Sequence, residues 1–210
     1  MGSQPHFVQT IRGRVTDSGR DEVREMLDRW VTDLAPGAEG WLGTTAGVAA
    51  DGTFFAAARF ATAEQARANS DRPEQNQWWM ETAKLFDGEV TFGDCDGAET
   101  FGGGGSDDAG FVQVITARVA DVDEMRRIGR RFEEAMSAGP TRDDVIGGLV
   151  GVHDGDRMVQ VVYFTSEDEA RRGEASEMPP EVAELMAQEQ ALMSETTYID
   201  IADPWTWSPR

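Results

Sequence analysis

An internal repeat is the feature that most constrains the fold of this chain. Nine residues that begin at Phe7 recur from Phe111, and six of the nine aligned positions are identical. Residues 47–60 also align with residues 151–164 without a gap, at the same offset. Such self-similarity indicates two copies of one structural unit. The sequence therefore predicts two domains of about 100 residues each rather than one large domain.

A run of four glycines at 102–105 separates the two copies, and a polar segment follows it up to Gly110. Ordering consecutive glycines costs much conformational entropy, so the run is typical of a flexible connector. We therefore predict a first repeat over residues 1–101, a linker over 102–110 and a second repeat over 111–210. The second repeat ends in a tail with indoles at Trp205 and Trp207. We expect both to pack on the same molecule or, failing that, on a second chain.

The residue patterns within each copy predict the same order of elements. Alternating apolar residues over 7–15 indicate a strand, and apolar residues at helical spacing over 21–34 indicate a helix. Strand-like runs over 41–48 and 53–60 then flank the turn residues Asp51 and Gly52, followed by helical segments and a closing strand over 89–95. The predicted class is α+β, with two ferredoxin-like βαββαβ repeats whose antiparallel sheets pack face to face.

Charge and cysteine content narrow the possible partners. The chain has 39 Asp and Glu residues against 19 Lys and Arg, a formal net charge of −20. Such a field repels phosphate backbones and anionic lipid surfaces, so we expect neither nucleic acid nor a membrane as a partner. Cys95 is the only cysteine, and no apolar run is long enough to cross a bilayer. These features predict an acidic, cytoplasmic protein.

One stretch of the first copy carries a family resemblance. Residues 60–67 read Phe-Ala-Thr-Ala-Glu-Gln-Ala-Arg, and the chain continues through Arg72 and Pro73 to Trp78 and Trp79. Together with the element order and the repeat length, this stretch resembles the antibiotic-biosynthesis-monooxygenase-like proteins of the dimeric α/β-barrel superfamily, here as a tandem fusion. The resemblance implies an intramolecular barrel in which two repeats replace the usual dimer. Whether the fused chain also forms a homodimer stays open.

The resemblance also implies a ligand site between a sheet face and the helices of a repeat. The candidate ligand-binding residues are Gln9, Arg72, Asn76, Trp78, Trp79 and Gln113. In this interpretation an indole walls a cavity for a planar aromatic compound, and the amides and the guanidinium bind its oxygen. The structural alternative is that Trp78 and Trp79 form an ordinary core stripe and that the two glutamines make internal hydrogen bonds.

The sequence lacks the signals expected for haem degradation and for metal binding. The chain has only two histidines, His6 and His153, and neither lies in a position to ligate haem from the second helix, so haem degradation is not expected. The Asp94–Gly97 stretch lacks the glutamate of a calcium loop, so no metal is expected. We expect no cofactor and assign no catalytic residue.

Two functions stay open at this point. One is a cofactor-independent monooxygenase-like enzyme acting on an aromatic or quinone-like compound. The other is a non-catalytic, stress-related barrel that binds a ligand or a partner. The superfamily that the chain resembles includes members of both kinds.

Overall fold

The computed structural model describes residues 6–16, 19–138 and 142–209, with the backbone alone at 136–138. The first repeat contains the strands β1 (His6–Arg14), β2 (Trp41–Val48), β3 (Thr53–Phe60) and β4 (Thr91–Gly102), and the helices α1 (Gly19–Asp33), α2 (Ala63–Ser70) and α3 (Pro73–Thr82). Short 3-10 turns follow α1 at Ala35–Gly37 and α3 at Ala83–Leu85. The second repeat contains β5 (Phe111–Val119), β6 (Val145–His153), β7 (Arg157–Phe164) and β8 (Met193–Ile201), and the helices α4 (Val122–Ala138), α5 (Glu167–Glu174) and α6 (Pro180–Leu192); a short strand, β9 (Trp205–Trp207), follows.

Each repeat forms a four-stranded antiparallel sheet with the ferredoxin-like strand order. The orders are β4-β1-β3-β2 and β8-β5-β7-β6, so the two repeats match strand for strand. The second helical segment is split in both repeats, because Pro73 and Pro180 each occupy the first turn of a new helix. The predicted α+β class with two ferredoxin-like repeats is confirmed.

The two sheets join at both edges. The first half of β4 pairs with β1, and its second half continues into the other repeat, where Glu99 lies opposite Val150 on β6. The chain also runs from β8 directly into β9, where Trp205 lies opposite Ala46 on β2. The nine strands therefore form one curled sheet whose outermost strands, β8 and β9, are consecutive in the chain.

Side chains from both repeats fill the interior of this barrel. Its core cluster contains Val8, Phe55, Ala57, Cys95 and Ala98 from the first repeat and Val112, Val114, Leu149, Val159, Val161, Tyr163, Ile199 and Ile201 from the second. The two sheets thus pack face to face, as predicted. A polar pair crosses this interior, because the hydroxyls of Thr45 and Tyr163 lie 2.7 Å apart. Burial raises the pKa of Tyr163.

The C-terminal tail packs on the first repeat. Trp205 is 2% exposed and lies in the apolar layer between α1 and the sheet. The guanidinium of Arg20 lies 5.6 Å from its ring centroid, a cation–π contact. The indole nitrogen of Trp207 donates to Asp28 Oδ1 at 3.0 Å. The expectation that the tail indoles pack on the same molecule is confirmed.

The glycine run at 102–105 lies against the second repeat. Gly102 pairs with Gly147, and the backbone N–H of Gly103 donates to the carbonyl of Ile146 at 2.9 Å. A Cβ on Gly147 would stand 2.6 Å from the backbone nitrogens of Gly103 and Gly104. Only glycine permits this approach. The glycine run therefore lets the connector pack closely against β6. The prediction of a flexible connector did not include this packing role.

The starts of α2 and α5 follow local sequence signals. The hydroxyl of Thr62 accepts from the backbone N–H of Gln65 at 3.2 Å, and the hydroxyl of Ser166 accepts from Glu169 at 3.3 Å. Both are N-caps at equivalent positions of the two repeats. Within the described ranges no helix combines the length and apolar character needed to cross a bilayer.

Candidate functional site

The six residues predicted from the sequence are divided between the two repeats. Gln9 is on β1, whereas Gln113 is at the matching position on β5. Arg72 immediately precedes α3, which carries the other three. The structure therefore brings five of the six to the first repeat and leaves Gln113 in the second.

Arg72 is engaged in holding helices together. Its Nη1 donates to the carbonyl of Leu34 and to Oδ1 of Asn69, both at 3.0 Å, and its Nε donates to Glu74 Oε1 at 2.9 Å. These bonds tie the end of α1 to the junction of α2 and α3. Asn76, one turn further along α3, is exposed. The hydrogen bonds of Arg72 thus hold it between helices, and Asn76 faces solvent.

Trp78 is also fixed by the packing of α3 on α1. Its indole nitrogen donates to the carbonyl of Met26 at 2.8 Å, and its ring centroid lies 6.4 Å from that of Trp30. A depression of about 160 Å³ between α1 and α3 includes Trp78 among its lining residues. That volume is below the roughly 300 Å³ of a typical ligand pocket. These contacts give Trp78 a structural role.

Trp79 belongs to an aromatic surface between α3 and β4. Its ring centroid lies 5.1 Å from that of Phe92, with an interplanar angle of 71°, and 6.2 Å from that of Phe86. Phe92 is 48% exposed, and the neighbouring Met80 is 62% exposed. The edge-to-face pair of Trp79 and Phe92 is named the aromatic platform below. It leaves ring surface open to solvent.

A hydrogen-bonded amide and carboxylate lie beside the aromatic platform. Gln9 Nε2 donates to Asp94 Oδ1 at 3.0 Å across β1 and β4. Ile11 stands opposite Phe92 in the same strand pair. Asp94 and Phe92 are two residues apart on β4, so their side chains share one face of the sheet. Asp94 is not among the six residues predicted from the sequence, although its period-two spacing from Phe92 is a signal that places both on one sheet face.

The second repeat carries the same pair in a different setting. Gln113 Nε2 donates to Asp200 Oδ1 at 3.0 Å, and Tyr198 occupies the position of Phe92. Here Arg171 Nη2 also donates to Asp200 Oδ2, and Nη1 of the same guanidinium donates to Glu174 at 3.1 Å. The carboxylate of the second repeat is thus neutralised by a cation.

A larger open cleft of about 610 Å³ lies where the start of β4 meets the β6–β7 hairpin and the start of α4. Six aspartates line it: Asp94, Asp96, Asp121, Asp123, Asp154 and Asp156. His153 Nδ1 lies 3.1 Å from Asp154 Oδ2 at its edge. Among residues 6–16, 19–138 and 142–209, no three or more His, Cys, Asp or Glu side chains are grouped as metal ligands. The excess of carboxylates makes the cleft repel anions.

Two titratable side chains away from the platform have shifted pKa values. Burial, together with the charges of Asp94 and Asp154, raises the pKa of Cys95 to about 12. The thiol is therefore protonated near neutral pH and is a poor nucleophile. Burial also raises the pKa of Glu189 on α6. No described hydrogen bond or ion pair connects Glu189 to the aromatic platform.

No protein-family model matches this chain, and no curated protein sequence matches it. Solved structures do match over nearly the full length. A candidate monooxygenase from Fusobacterium nucleatum superposes with a TM-score of 0.74 at 7% identity, covering 99% of this chain and 97% of that one. A candidate monooxygenase from Lactobacillus acidophilus superposes with a TM-score of 0.70 at 11% identity, covering 98% and 100%.

An anthrone oxidase-like protein is a third structural match. Its TM-score is 0.74 at 10% identity, and the match covers 98% of this chain and 94% of that one. Identities this low concern the fold alone. The chain therefore has the tandem dimeric α/β-barrel fold that its resemblance to antibiotic-biosynthesis-monooxygenase-like proteins implied.

Proposed function

We propose that this protein binds a planar aromatic compound on its first repeat and oxygenates it as a cofactor-independent, monooxygenase-like enzyme. The observation that carries the proposal is the solvent-open aromatic platform of Trp79 and Phe92 beside the hydrogen-bonded pair of Gln9 and Asp94. An aromatic ring can stack on the platform while a ring oxygen meets the polar pair. The names of the three structural neighbours, two candidate monooxygenases and an anthrone oxidase-like protein, support the same class of reaction.

The reaction class is illustrated by the oxidation of anthrone. Anthrone and O₂ give anthraquinone and water. Two C–H bonds of the ring methylene break, one oxygen atom becomes the new carbonyl, and the other leaves as water with both hydrogens. The carbon is oxidised and O₂ is reduced, so the electrons balance without a further reductant. The protein's part is to hold the electron-rich ring on the aromatic platform, with its oxygen beside the polar pair.

A second candidate function is non-catalytic binding of an apolar compound. The observation that favours it is the structural engagement of Arg72 and Trp78, whose polar groups hold α1, α2 and α3 together. These two predicted site residues then belong to the scaffold. Under this alternative the aromatic platform binds its ligand, and no O₂ is consumed.

Anthrone turnover distinguishes the two candidates. The full chain is incubated with anthrone in air-saturated buffer, and O₂ uptake and anthraquinone formation are followed against heat-denatured protein. We expect one O₂ consumed per anthraquinone, at a rate above that of the denatured control. Trp79→Leu should lower the protein-dependent rate roughly tenfold, which corresponds to about 1.4 kcal/mol.

The matched control is Met186→Leu, at the position in the second repeat that aligns with Trp79. It should leave the rate unchanged. A rise in melting temperature with anthrone but no O₂ uptake above the denatured control would favour the binding-only alternative. Neither a stability shift nor O₂ uptake would contradict both candidates.

A further inference from the structure

The two repeats carry the same amide–carboxylate pair, but only one of the two carboxylates is free to bind a ligand. We propose that Asp94 is the acceptor for the hydroxyl of a neutral phenol, and that Arg171 closes the equivalent position in the second repeat. Each chain then holds a single site. This inference rests on the proposed function and names its substrate class.

The pairs are equivalent in position and geometry. Gln9 and Gln113 align in the repeat, and each donates through Nε2 to Oδ1 of an aspartate at 3.0 Å. The aspartates, Asp94 and Asp200, face these glutamines in matching strand registers. In both repeats the amide fixes the carboxylate through one oxygen. The difference between the repeats therefore lies at the other oxygen, Oδ2.

In the second repeat this other oxygen is occupied. Asp200 Oδ2 accepts from Arg171 Nη2, and Nη1 of the same guanidinium is held by both oxygens of Glu174 at 3.1 and 3.2 Å. The guanidinium also lies 5.2 Å from the ring centroid of Phe111, on the helix-covered side of the sheet. The same guanidinium also lies 3.4 Å from Glu167 Oε1, so a ligand hydroxyl would have to displace a cation that is bound by three carboxylates.

In the first repeat Asp94 Oδ2 stays available. Arg67 aligns with Arg171 but is exposed, and within the described ranges Gln9 is the hydrogen-bond donor to Asp94. The carboxylate shares its sheet face with Phe92, whose ring is packed by Trp79. A ring stacked on the platform therefore has a carboxylate acceptor at its edge.

The charge of the site sets the class of ligand. A carboxylate accepts hydrogen bonds and cannot donate them, so the ligand must supply a donor, such as a phenol O–H or the enol O–H of anthrone. Asp94 itself lines the cleft that contains five further aspartates, and the whole chain carries a net charge of −20. Aromatic carboxylates should be repelled, and neutral phenols should be favoured.

Isothermal titration of the full chain with three probes tests the proposal near neutral pH. The probes are 1-naphthol, which can donate, 1-methoxynaphthalene, which cannot, and 1-naphthoate, which is anionic. We expect the wild type to bind one 1-naphthol per chain, more tightly than either other probe. Asp94→Ala should weaken 1-naphthol binding roughly tenfold and change 1-methoxynaphthalene binding by less than about twofold.

Asp200→Ala is the matched control, because it removes the equivalent carboxylate from the closed position. It should leave the affinities for all three probes unchanged. Asp94 is exposed, so Asp94→Ala should retain the wild-type circular dichroism spectrum and melting temperature. Asp94→Asn is the second variant, which keeps the side-chain shape and should weaken 1-naphthol binding less than Asp94→Ala does.

The outcomes separate this inference from the proposed function. Asp94→Ala and Asp200→Ala could weaken 1-naphthol binding equally, or the wild type could bind two molecules per chain. Either result would overturn the inference that Arg171 closes the position in the second repeat. Undiminished 1-naphthol binding by Asp94→Ala would overturn the role of Asp94. In both cases aromatic binding persists, so the proposed function survives. If neither 1-naphthol nor 1-methoxynaphthalene binds the wild type, the proposed function fails and this inference fails with it.

Discussion

At the scale of single residues, the contact of Thr45 with Tyr163 joins the two repeats inside the barrel. Both side chains are buried, and their hydroxyls are 2.7 Å apart. Each hydroxyl is the hydrogen-bond partner of the other beside the apolar core cluster. Local sequence patterns place these residues on separate strands, 118 positions apart, so their contact depends on barrel closure.

Tyr163→Phe should destabilise the protein by about 1–3 kcal/mol, because it leaves the Thr45 hydroxyl buried without its partner. The measurement is urea unfolding at equilibrium. The double variant with Thr45→Val should recover part of the loss, since both polar groups are then absent. Tyr198→Phe is the control, because Tyr198 is 61% exposed. If Tyr163→Phe lowers the free energy of unfolding no more than the Tyr198→Phe control does, the hydroxyl pair has no structural role.

At the scale of elements, the end of β4 and the glycines that follow it determine how closely the repeats approach. The sequence pattern predicts a closing strand over 89–95, whereas β4 runs from Thr91 to Gly102. The additional residues pair with β6 of the other repeat, including Gly102 with Gly147. Strand length here is decided by a partner strand rather than by local alternation.

Gly147→Ala should destabilise the protein by about 1–3 kcal/mol, because the new Cβ meets backbone that cannot easily move. The nearest atoms would be the nitrogens of Gly103 and Gly104 at 2.6 Å. Gly129→Ala is the matched control within α4, where a Cβ would meet nothing within 4 Å. It should stabilise the protein by about 0.5–1 kcal/mol. Equal effects on the urea midpoint would show that the close approach is unimportant.

At the scale of the whole molecule, the repeats exchange their last strands. The end of β4 pairs with the second repeat, and β9 pairs with the first. Trp205 from β9 completes the apolar layer under α1, where it packs with Val23, Leu27 and Phe54. The tail after the second repeat thus completes the apolar layer of the first, and the end of β4 extends the sheet of the second, so we expect the chain to unfold as one cooperative unit.

Trp205→Ala should cost about 3–5 kcal/mol, as expected for removing a buried indole from a packed layer. Although the substitution is in the tail after the second repeat, it should destabilise both repeats together. Circular dichroism and tryptophan fluorescence should report one coincident transition at a lower urea midpoint. Met80→Ala, at a position that is 62% exposed, is the control. Two separated transitions would contradict the cooperative unit.

The sequence by itself determined the duplication, the order of elements and the bounds of β2 and β3. These features depend on local signals, namely apolar periodicity, turn residues and the recurrence of the Phe7 segment after Phe111. Part of the candidate site was visible in the same way, because strand and helix periodicity place Gln9 and Trp79 on the faces that meet. A structural role for Trp78 was one of the two interpretations left open by the sequence, whereas the hydrogen bonds of Arg72 to Leu34 and Asn69 were not visible.

Only the tertiary structure decided the length of β4, the closure by β9 and the difference between the two carboxylates. Gln9 and Gln113 have similar local sequences, yet Asp200 is bound by a guanidinium and Asp94 is not. The choice of hydrogen-bond partner depends on which side chains distant segments bring within about 3 Å of each other. The apolar periodicity of the sequence does not show how far apart the side chains of distant segments lie.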